Sequence, residues 1–192
     1  DIKGRDLCDV LSYVINSTST NEIKPEITGV LLQFNENYAV LAATDSFRLS
    51  EKKVALGSIN KYITRCIVPR KTCDIIIKTF QDYDENIGLF INDSQIVIVS
   101  DSSDQTNPEI RTVSRVIAGE YPNYEQIIPD KFIADIRLPK NEIIKHIKNA
   151  SLFSTKMNDI VLELNPQKKS LSISASDRDF GEYTSSMSCY AK

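Results

Sequence analysis

The 192-residue sequence predicts an α+β fold in which helices pack on one face of antiparallel sheets. The first observation is a repeat, because a helix followed by short strands occurs three times, with helices beginning near positions 5, 69 and 138. The second is the pattern within each unit, where apolar residues at i, i+3, i+4 and i+7 precede segments separated by turn residues. Two such units of roughly 65 residues can form one two-layer domain, so the sequence predicts one and a half domains.

The first unit begins with a helix that carries Leu7, Val10, Leu11 and Val14 on one face. Three strands are predicted to follow, because segments rich in apolar and β-branched residues are separated by residues that favour turns. These segments are GVLLQF at 29–34, YAVLAATD at 38–45 and RLSEKKVAL at 48–56.

The second and third units repeat this plan after a proline, which is well tolerated in the first turn of a helix. The predicted apolar helix faces are Cys73, Ile76, Ile77 and Phe80 after Pro69, and Ile143, Ile144, Ile147 and Ala150 after Pro139. The predicted strands are NIGLFI at 86–91, QIVIVS at 95–100, IRTVSRVIA at 110–118, DIVLEL at 159–164, LSISAS at 171–176 and a last strand near 183–190. A leading strand is predicted before each of these two helices, and SDSSDQTNPE at 100–109 is predicted to be a solvated loop.

The stretch 121–130 is the predicted domain boundary, since Pro122 and Pro129 interrupt regular pairing there. The sequence therefore predicts a domain of two units at 1–130 and a single unit at 131–192.

Composition excludes several classes of protein. The 41% hydrophobic and 26% charged fractions are typical of a globular chain, and no apolar run approaches the ~18 residues of a membrane-spanning helix. Cys8, Cys66, Cys73 and Cys189 are far apart and form no CxxC pair, which indicates reduced thiols rather than a zinc site or a disulfide framework. The chain begins at Asp1 without an initiator Met or a secretory leader, so we expect a fragment of a cytoplasmic protein.

Catalytic chemistry has little support in the sequence. It contains neither a GxSxG elbow nor a GxxxxGK phosphate loop, and the lone His146 falls on a predicted polar helix face. Acid pairs such as Asp177 with Asp179 lie in predicted turns, where aspartate favours local backbone bonding. We expect no cofactor and no metal, and metal-dependent nucleotidyl transfer by an acidic pair is the weakest alternative.

Four motifs carry a resemblance to a known family. They are KPEITGVLLQF at 24–34, ATDSFRLS at 43–50, IVPRK at 67–71 and GEYPNYEQIIP at 119–129. In this order and spacing they resemble the bacterial DNA polymerase III beta subunit, the sliding clamp. The segment LPKNEIIKHIKNASLF at 138–153 resembles the start of that family's last domain. The resemblance implies the DNA-clamp fold, with 1–130 as the complete middle domain and 131–192 as the first half of the third.

The resemblance implies that helices face double-stranded DNA, which agrees with a net charge of -3 because a ring that slides needs no tight phosphate grip. The predicted polar faces are Arg5, Asp9, Ser12 and Asn16; Lys71, Asp74 and Lys78; and Glu142, Lys145, His146 and Asn149. The candidate DNA-facing residues are Arg70, Lys71, Lys78, Lys145 and Lys148, with Arg70 and Lys71 favoured by the VPRK motif. The alternative is that these are ordinary solvated helix faces.

The resemblance also implies a groove, between the second and third domains, that binds short peptides ending in hydrophobic residues. Carried over by motif, its residues are Ile27, Thr44, Ser46, Phe47, Arg48, Leu49, Pro122, Gln126 and Ile127. Apolar walls with a few orienting polar groups suit such a site, and the alternative is ordinary strand packing and a turn. Many relatives have Gly-His in place of Ser46 and Phe47, and the family's last residues, which complete the groove, are absent from this sequence.

The function implied is that of a non-catalytic processivity factor that tethers the replicative polymerase to DNA. The implied partners are double-stranded DNA, the polymerase, the clamp loader and repair proteins, and the full-length protein would be a ring-shaped homodimer without membrane attachment. The clamp is counted as a subunit of a DNA-directed DNA polymerase, a nucleotidyltransferase. A stand-alone α+β peptide-binding adaptor is the alternative.

Overall fold

The structure, a computed structural model, describes residues 2–57, 63–100 and 110–191. It divides into two compact units, residues 1–127 and 128–192, which are treated separately below. Apart from Ser100, the predicted loop at 100–109 lies outside the described residues.

The first unit contains two four-stranded antiparallel sheets and two long helices. Its elements are β1 (Ile2–Lys3), α1 (Gly4–Val14), β2 (Gly29–Phe34), β3 (Tyr38–Thr44), β4 (Leu49–Ala55), β5 (Thr64–Pro69), α2 (Arg70–Phe80), β6 (Asn86–Ile91), β7 (Gln95–Ser100) and β8 (Arg111–Arg115). Short 3-10 turns occupy Ile15–Ser17, Pro25–Ile27 and Tyr124–Ile127. Sheet A has the order β1-β6-β7-β8 and sheet B the order β4-β3-β2-β5.

The predicted apolar helix faces of this unit are confirmed, and both helices contribute to one core with the inward residues of both sheets. The helices run antiparallel and in close contact. A Cβ at Gly4 would lie 3.2 Å from the carbonyl oxygen of Phe80, so the start of α1 meets the end of α2. At the opposite end, Arg70 at the start of α2 contacts Ile15, which follows α1.

Strand β8 is shorter than the predicted segment 110–118. The amide of Val116 still bonds to the carbonyl of Ser94, but the amide of Ile117 donates to the carbonyl of Ile67, on β5 of the other sheet, at 2.8 Å. The chain therefore leaves sheet A at this point, because the next backbone donor is satisfied by sheet B.

The second unit is one helix on a three-stranded antiparallel sheet. Its elements are β9 (Ile136–Arg137), α3 (Lys140–Ser151), β10 (Val161–Asn165), β11 (Ser170–Asp177), β12 (Gly181–Ser188) and β13 (Tyr190–Ala191). Sheet C has the order β10-β11-β12, and β9 pairs with β13. The alternation predicted for 171–176 is confirmed, since Leu171, Ile173 and Ala175 are buried under Ala150 of α3.

Helix α3 presents a different face from the one predicted. Ile144 and Ile147 are 38% and 37% exposed, whereas Ile143, His146 and Ala150 are half-buried or buried. His146 Nδ1 lies 3.5 Å from the Tyr183 hydroxyl on β12, so the histidine is on the sheet side of the helix rather than on an exposed polar face. Within the described residues only a sheet covers this helix. The residues that face the sheet are therefore buried, and the rest of the apolar stripe is exposed.

Candidate peptide groove and DNA-facing helices

The turn between β3 and β4 is held by its own polar side chains. Asp45 Oδ1 accepts hydrogen bonds from the amides of Phe47 and Arg48, both at 3.0 Å. Thr44 Oγ1 accepts from the amide of Ser46 at 3.1 Å and donates to the carbonyl of Arg48 at 2.8 Å. These bonds close the turn from within and leave the side chains of Ser46 and Phe47 exposed at its tip.

The tip of this turn is solvent-exposed and carries one large apolar side chain. The Phe47 side chain is 99% exposed, and Ser46 has a φ of 77°, in the left-handed region that favours glycine. Arg48 Nε donates to Asp45 Oδ2 at 2.9 Å. Desolvation raises the pKa of the Asp45 carboxyl, but the hydrogen bonds from Arg48 and Phe47 outweigh it and leave this pKa below its usual value.

A small apolar cluster on the outward side of sheet B supports the turn. Its buried members are Ile27, Leu31, Ala42, Ile67, Tyr121 and Tyr124, with Leu49 and Ile117 packed against them. The Tyr121 hydroxyl accepts a hydrogen bond from the buried amide of Thr44 at 3.0 Å, and the Tyr124 hydroxyl donates to Glu51 Oε2 at 2.9 Å. Burial raises the pKa of Tyr121 to about 12, and burial with the Glu51 contact raises that of Tyr124 further. Both phenols are therefore neutral near pH 7.

A cleft of about 380 Å³ opens beside the turn. Residues 45–48 form one side, and the other is formed by Ile27 together with the chain that follows α1, which contributes Ile23 and Lys24. Apolar groups (Ile23, Ile27, Phe47) and two cationic side chains (Lys24, Arg48) share this cleft with the Asp45 carboxylate, which pairs with Arg48, and with the polar residues 18–21. Such a lining suits a peptide that carries apolar side chains and a carboxylate.

The structure brings four of the nine predicted groove residues together in this cleft, namely Ile27, Ser46, Phe47 and Arg48. Thr44 is buried and Leu49 half-buried beneath the turn, where they support it. The exposed residues Pro122, Gln126 and Ile127 lie outside the lining of the cleft, on the segment that carries the two buried tyrosines.

Sequence reasoning missed the two supporting tyrosines and the Ile23–Lys24 wall. The tyrosines stand in the YPNY run within a motif already singled out, where their spacing of three residues was the available signal. The Asn21–Lys24 segment has no periodic pattern that could have indicated a role. It lines the cleft because the chain after α1 passes beside the turn.

Arg70 has a different environment from the one expected of a DNA-facing residue. Its Nη1 donates to Thr18 Oγ1 at 2.9 Å and to the carbonyl of Ile15 at 3.3 Å, and the side chain is half-buried. A guanidinium at this position satisfies a carbonyl beyond the end of α1 and is favourable toward the negative end of that helix. Arg70 therefore joins the two helices, and its charge is partly directed into the protein.

The four candidate lysines are exposed on their helices. Lys71 and Lys78 lie on α2, seven residues apart, and Lys145 and Lys148 lie on α3. On α1 the exposed Arg5 pairs with Asp84 at 2.7 Å, which partly neutralises the positive charge of Arg5.

The four cysteines are buried and free. Desolvation by burial raises the pKa of Cys8, Cys66 and Cys73 to about 12, so these thiols are protonated near pH 7. Within the described ranges, no group of three or more His, Cys, Asp or Glu side chains is placed to hold a metal ion. Among those same residues, no helix has the length and apolar composition needed to cross a membrane.

Comparison with known proteins was made by sequence and by structure. The beta sliding clamp of Staphylococcus aureus is 25% identical over 175 residues, which cover 91% of this chain and 44% of that protein. The solved sliding clamp of Bacillus subtilis has a TM-score of 0.88 at 23% identity, covering 100% of this chain and 49% of that one. A Pseudomonas aeruginosa clamp solved bound to griselimycin has a TM-score of 0.88 at 18% identity and is half covered.

These likenesses confirm the predicted DNA-clamp fold, and the chain spans about half the length of the relatives it matches. A family model described as the central domain of the DNA polymerase III beta subunit matches residues 1–123. Since that match covers well over half of the 192 residues, the chain belongs to the DNA polymerase III beta subunit family, the beta sliding clamps.

Proposed function

We propose that this chain forms part of a sliding clamp that encircles double-stranded DNA and tethers the replicative polymerase during synthesis. Residues 1–130 would be the middle domain and 131–192 the first half of the third domain of a cytoplasmic, ring-shaped homodimer. The clamp loader and repair proteins would be further partners. The contribution is mechanical, because retention on DNA by a closed ring requires no reacting group.

The observation that carries the proposal within this chain is the cleft beside the Thr44–Arg48 turn. The turn is preorganised by internal hydrogen bonds, so little ordering cost is added when a ligand binds. Phe47 is almost completely exposed at its tip, and burial against a ligand would stabilise the complex. Lys24, together with the guanidinium donors of Arg48 that Asp45 does not use, can orient a carboxylate of the same peptide.

The DNA-facing part of the proposal rests on Lys71, Lys78, Lys145 and Lys148. Exposed lysines that contact phosphates give binding that is independent of sequence and sensitive to salt. Arg70 is proposed to act indirectly, by fixing α2 against the end of α1. A chain that makes few such contacts and does not close a ring should bind linear duplex weakly, with a Kd of ~10⁻⁴ M at physiological salt.

The test of the groove is titration of the 192-residue chain with a fluorescein-labelled peptide that ends in Leu-Phe. Phe47→Ala should weaken binding about tenfold, since loss of a large apolar contact costs ~1–3 kcal/mol. The matched control is Phe180→Ala. That phenylalanine is exposed on the β11–β12 turn, where Asp177 Oδ1 accepts backbone hydrogen bonds from Asp179 and Phe180 as Asp45 does in the first unit.

A second pair of variants tests the polar part of the cleft. Arg48→Ala should also weaken peptide binding, while Arg178→Ala on the control turn should leave it unchanged. Equal affinities for the unmodified chain and for the Phe47 and Arg48 variants would contradict the assignment of the cleft as the peptide site.

The adaptor alternative, a peptide-binding protein without a DNA ring, is favoured by the pairing of Arg5 with Asp84 and by the inward bonding of Arg70. It predicts normal peptide binding with no loss of DNA affinity when Lys71 and Lys78 are replaced. The clamp proposal predicts that both replacements lower DNA affinity for every sequence equally.

A further inference from the structure

Two apolar positions on α3 are exposed although the same positions are buried in the first unit. Ile144 and Ile147 are 38% and 37% exposed, whereas Cys8 and Leu11, at the same places in α1, are 1% and 0% exposed. In the first unit α2 lies against this side of α1, where Cys8 Sγ is 3.5 Å from the carbonyl oxygen of Ile76. The second unit therefore presents a helix face that is suited to a second helix.

The first strand after the helix shows the same difference between the units. The runs AATD at 42–45 and SASD at 174–177 align β3 with β11, and strand register then gives Leu32 of β2 and Leu162 of β10 the same place. Leu32 is 1% exposed, whereas Leu162 is 53% exposed. The reason is that β5 pairs with the outer edge of β2, while β10 is an end strand of sheet C among the described strands. Such an edge presents unpaired backbone donors and acceptors.

The strand that precedes each helix is the element that covers this edge in the first unit. There, β5 pairs with β2 on one side and binds the chain after β8 on the other side, through the carbonyl of Ile67. The corresponding strand β9 pairs with β13 through Arg137, which, like Ile67, is three residues before its helix. The other edge of β9 corresponds to the edge of β5 that binds β2, and no described strand pairs with it.

We propose that the second units of two copies of this chain pair about a two-fold axis and complete each other. Strand β9 of each copy would pair with β10 of the other, which gives the order β9-β10-β11-β12, as in the β5-β2-β3-β4 order of sheet B. The two α3 helices would lie antiparallel, as α1 and α2 do. A two-fold axis presents the same surface on both copies, so each open edge is paired once.

The first unit also predicts the register between the copies. In sheet B, Leu32 pairs with Cys66, which is four residues before the first residue of α2. The residue four places before α3 is Ile136. Leu162 of one copy should therefore lie opposite Ile136 of the other.

The start of α3 carries a charge that suits an antiparallel helix pair. Arg70, the first residue of α2, donates to the carbonyl of Ile15, just beyond the end of α1. The first residue of α3 is Lys140, which is exposed. In the proposed pair each Lys140 would reach the C-terminal end of the other α3, where a cation is favourable.

The other lysines of α3 do not oppose this pairing. Lys145 and Lys148 are five and eight residues after the first residue of the helix. The residues at those places in α1, Asp9 and Ser12, are exposed although α2 is present. Both lysines would therefore remain in solvent, and their mutual repulsion would be screened by salt.

Two other occupants fit the open side of the second unit less well. The first unit of another copy has its two helices already packed together and its leading strands β1 and β5 already paired. An unrelated extended peptide can pair with β10, but it offers no helix to Ile144 and Ile147. A second unit supplies both a strand and a helix, in the arrangement that the first unit already shows.

The first test is the mass of the whole 192-residue chain, measured without DNA or peptide. Sedimentation equilibrium at micromolar concentration should give twice the 21.6 kDa of a single chain. Leu162→Lys and Ile147→Lys should each raise the dimer Kd by about tenfold, because each places a charge in an apolar contact. Phe180→Lys is the matched control, since this exposed apolar residue lies outside the proposed contact and its replacement should leave the Kd unchanged. Circular dichroism of the variants checks that their fold is kept.

The second test is a cross-link that reads the register directly. Chains carrying Ile136→Cys and chains carrying Leu162→Cys are mixed and oxidised with glutathione disulfide. Opposed residues of antiparallel strands have Cα atoms about 4.5–5.5 Å apart, within reach of a disulfide. The mixture should give a disulfide-linked dimer on a non-reducing gel, and neither variant alone should do so. The four native cysteines are buried and should not react.

Three results would overturn the proposal. The first is the mass of a single chain at high micromolar concentration. The second is a dimer that persists unchanged in both lysine variants, because the copies would then meet through another surface. The third is a mixture that gives no cross-link, or a cross-link formed equally by either cysteine variant alone. The proposal does not rest on the clamp function, and none of these results depends on DNA or peptide binding, so the two proposals can fail independently.

Discussion

Replacing Tyr121 with phenylalanine isolates the hydrogen bond that anchors the candidate peptide-binding turn. The Tyr121 hydroxyl accepts from the amide of Thr44 at 3.0 Å, and both residues are buried. Phenylalanine preserves the ring and its apolar contacts, so the change removes only the acceptor. The amide of Thr44 would then be buried without its partner, which costs about 1–3 kcal/mol in the free energy of unfolding.

The magnitude can be measured by urea unfolding, where Tyr121→Phe should lower the midpoint without changing the slope. Tyr13→Phe is the matched control, because that tyrosine is exposed on α1 and its ring, which lies 4.8 Å from Lys52 Nζ, is retained. The Thr44 amide should also exchange faster with solvent in the Tyr121 variant. Equal stability of the two variants, with unchanged exchange at Thr44, would refute the role assigned to this bond.

Three further predictions concern backbone strain, the helix contact and alkaline pH. Ser46→Gly should leave stability in urea unfolding unchanged or raise it by up to ~1 kcal/mol. Glycine adopts the positive φ without strain, but it also makes the unfolded chain more flexible, which offsets part of the gain. A clear loss of stability would contradict the assignment of backbone strain to Ser46. Arg70→Ala should destabilise the chain by ~1–2 kcal/mol and leave the salt dependence of DNA binding unchanged. Lys71→Ala should reduce the slope of that salt dependence without changing stability. The opposite pattern would indicate that Arg70 contacts phosphate. Burial raises the pKa of Tyr121 from 10.0 to about 12, so its neutral form contributes stability below pH 10 that is lost as pH rises toward 12. Tyr121→Phe should therefore flatten the alkaline part of the plot of the free energy of unfolding against pH. An unchanged profile would contradict the shift.

The sequence predicted well those elements in which the apolar residues all lie on one face and that face is buried. In β11 every second residue is buried, so a period of two is visible in the sequence. In α1 the apolar residues Leu7, Val10, Leu11 and Val14 are all buried, because a sheet and a second helix together cover a wide stripe of its surface. Local patterns and tertiary burial agree at these positions, so either one predicts the other.

The positions that differed depend on contacts between distant parts of the chain. The end of β8 is set by the bond from Ile117 to Ile67, fifty residues earlier, which no local pattern reveals. Arg70 stands in the VPRK motif that favoured it as a DNA-facing residue, but its Nη1 donates to Thr18 Oγ1 and to the carbonyl of Ile15. For the groove, the sequence predicted the turn residues, while the two supporting tyrosines were identified from their packing on sheet B.

The neighbours of α1 and α3 explain why the same apolar pattern predicted the buried helix face correctly in the first unit but not in the second. Counted from the first residue of each helix, Ile144 and Ile147 of α3 occupy the positions of Cys8 and Leu11 in α1. Cys8 and Leu11 are buried, and Cys8 Sγ lies 3.5 Å from the carbonyl oxygen of Ile76 on α2. The described residues of the second unit supply no second helix, so the same positions are more than a third exposed. The apolar stripe of the repeated helix is thus wide enough to pack against both a sheet and a second helix. It predicts the buried face correctly only where both of these neighbours are present.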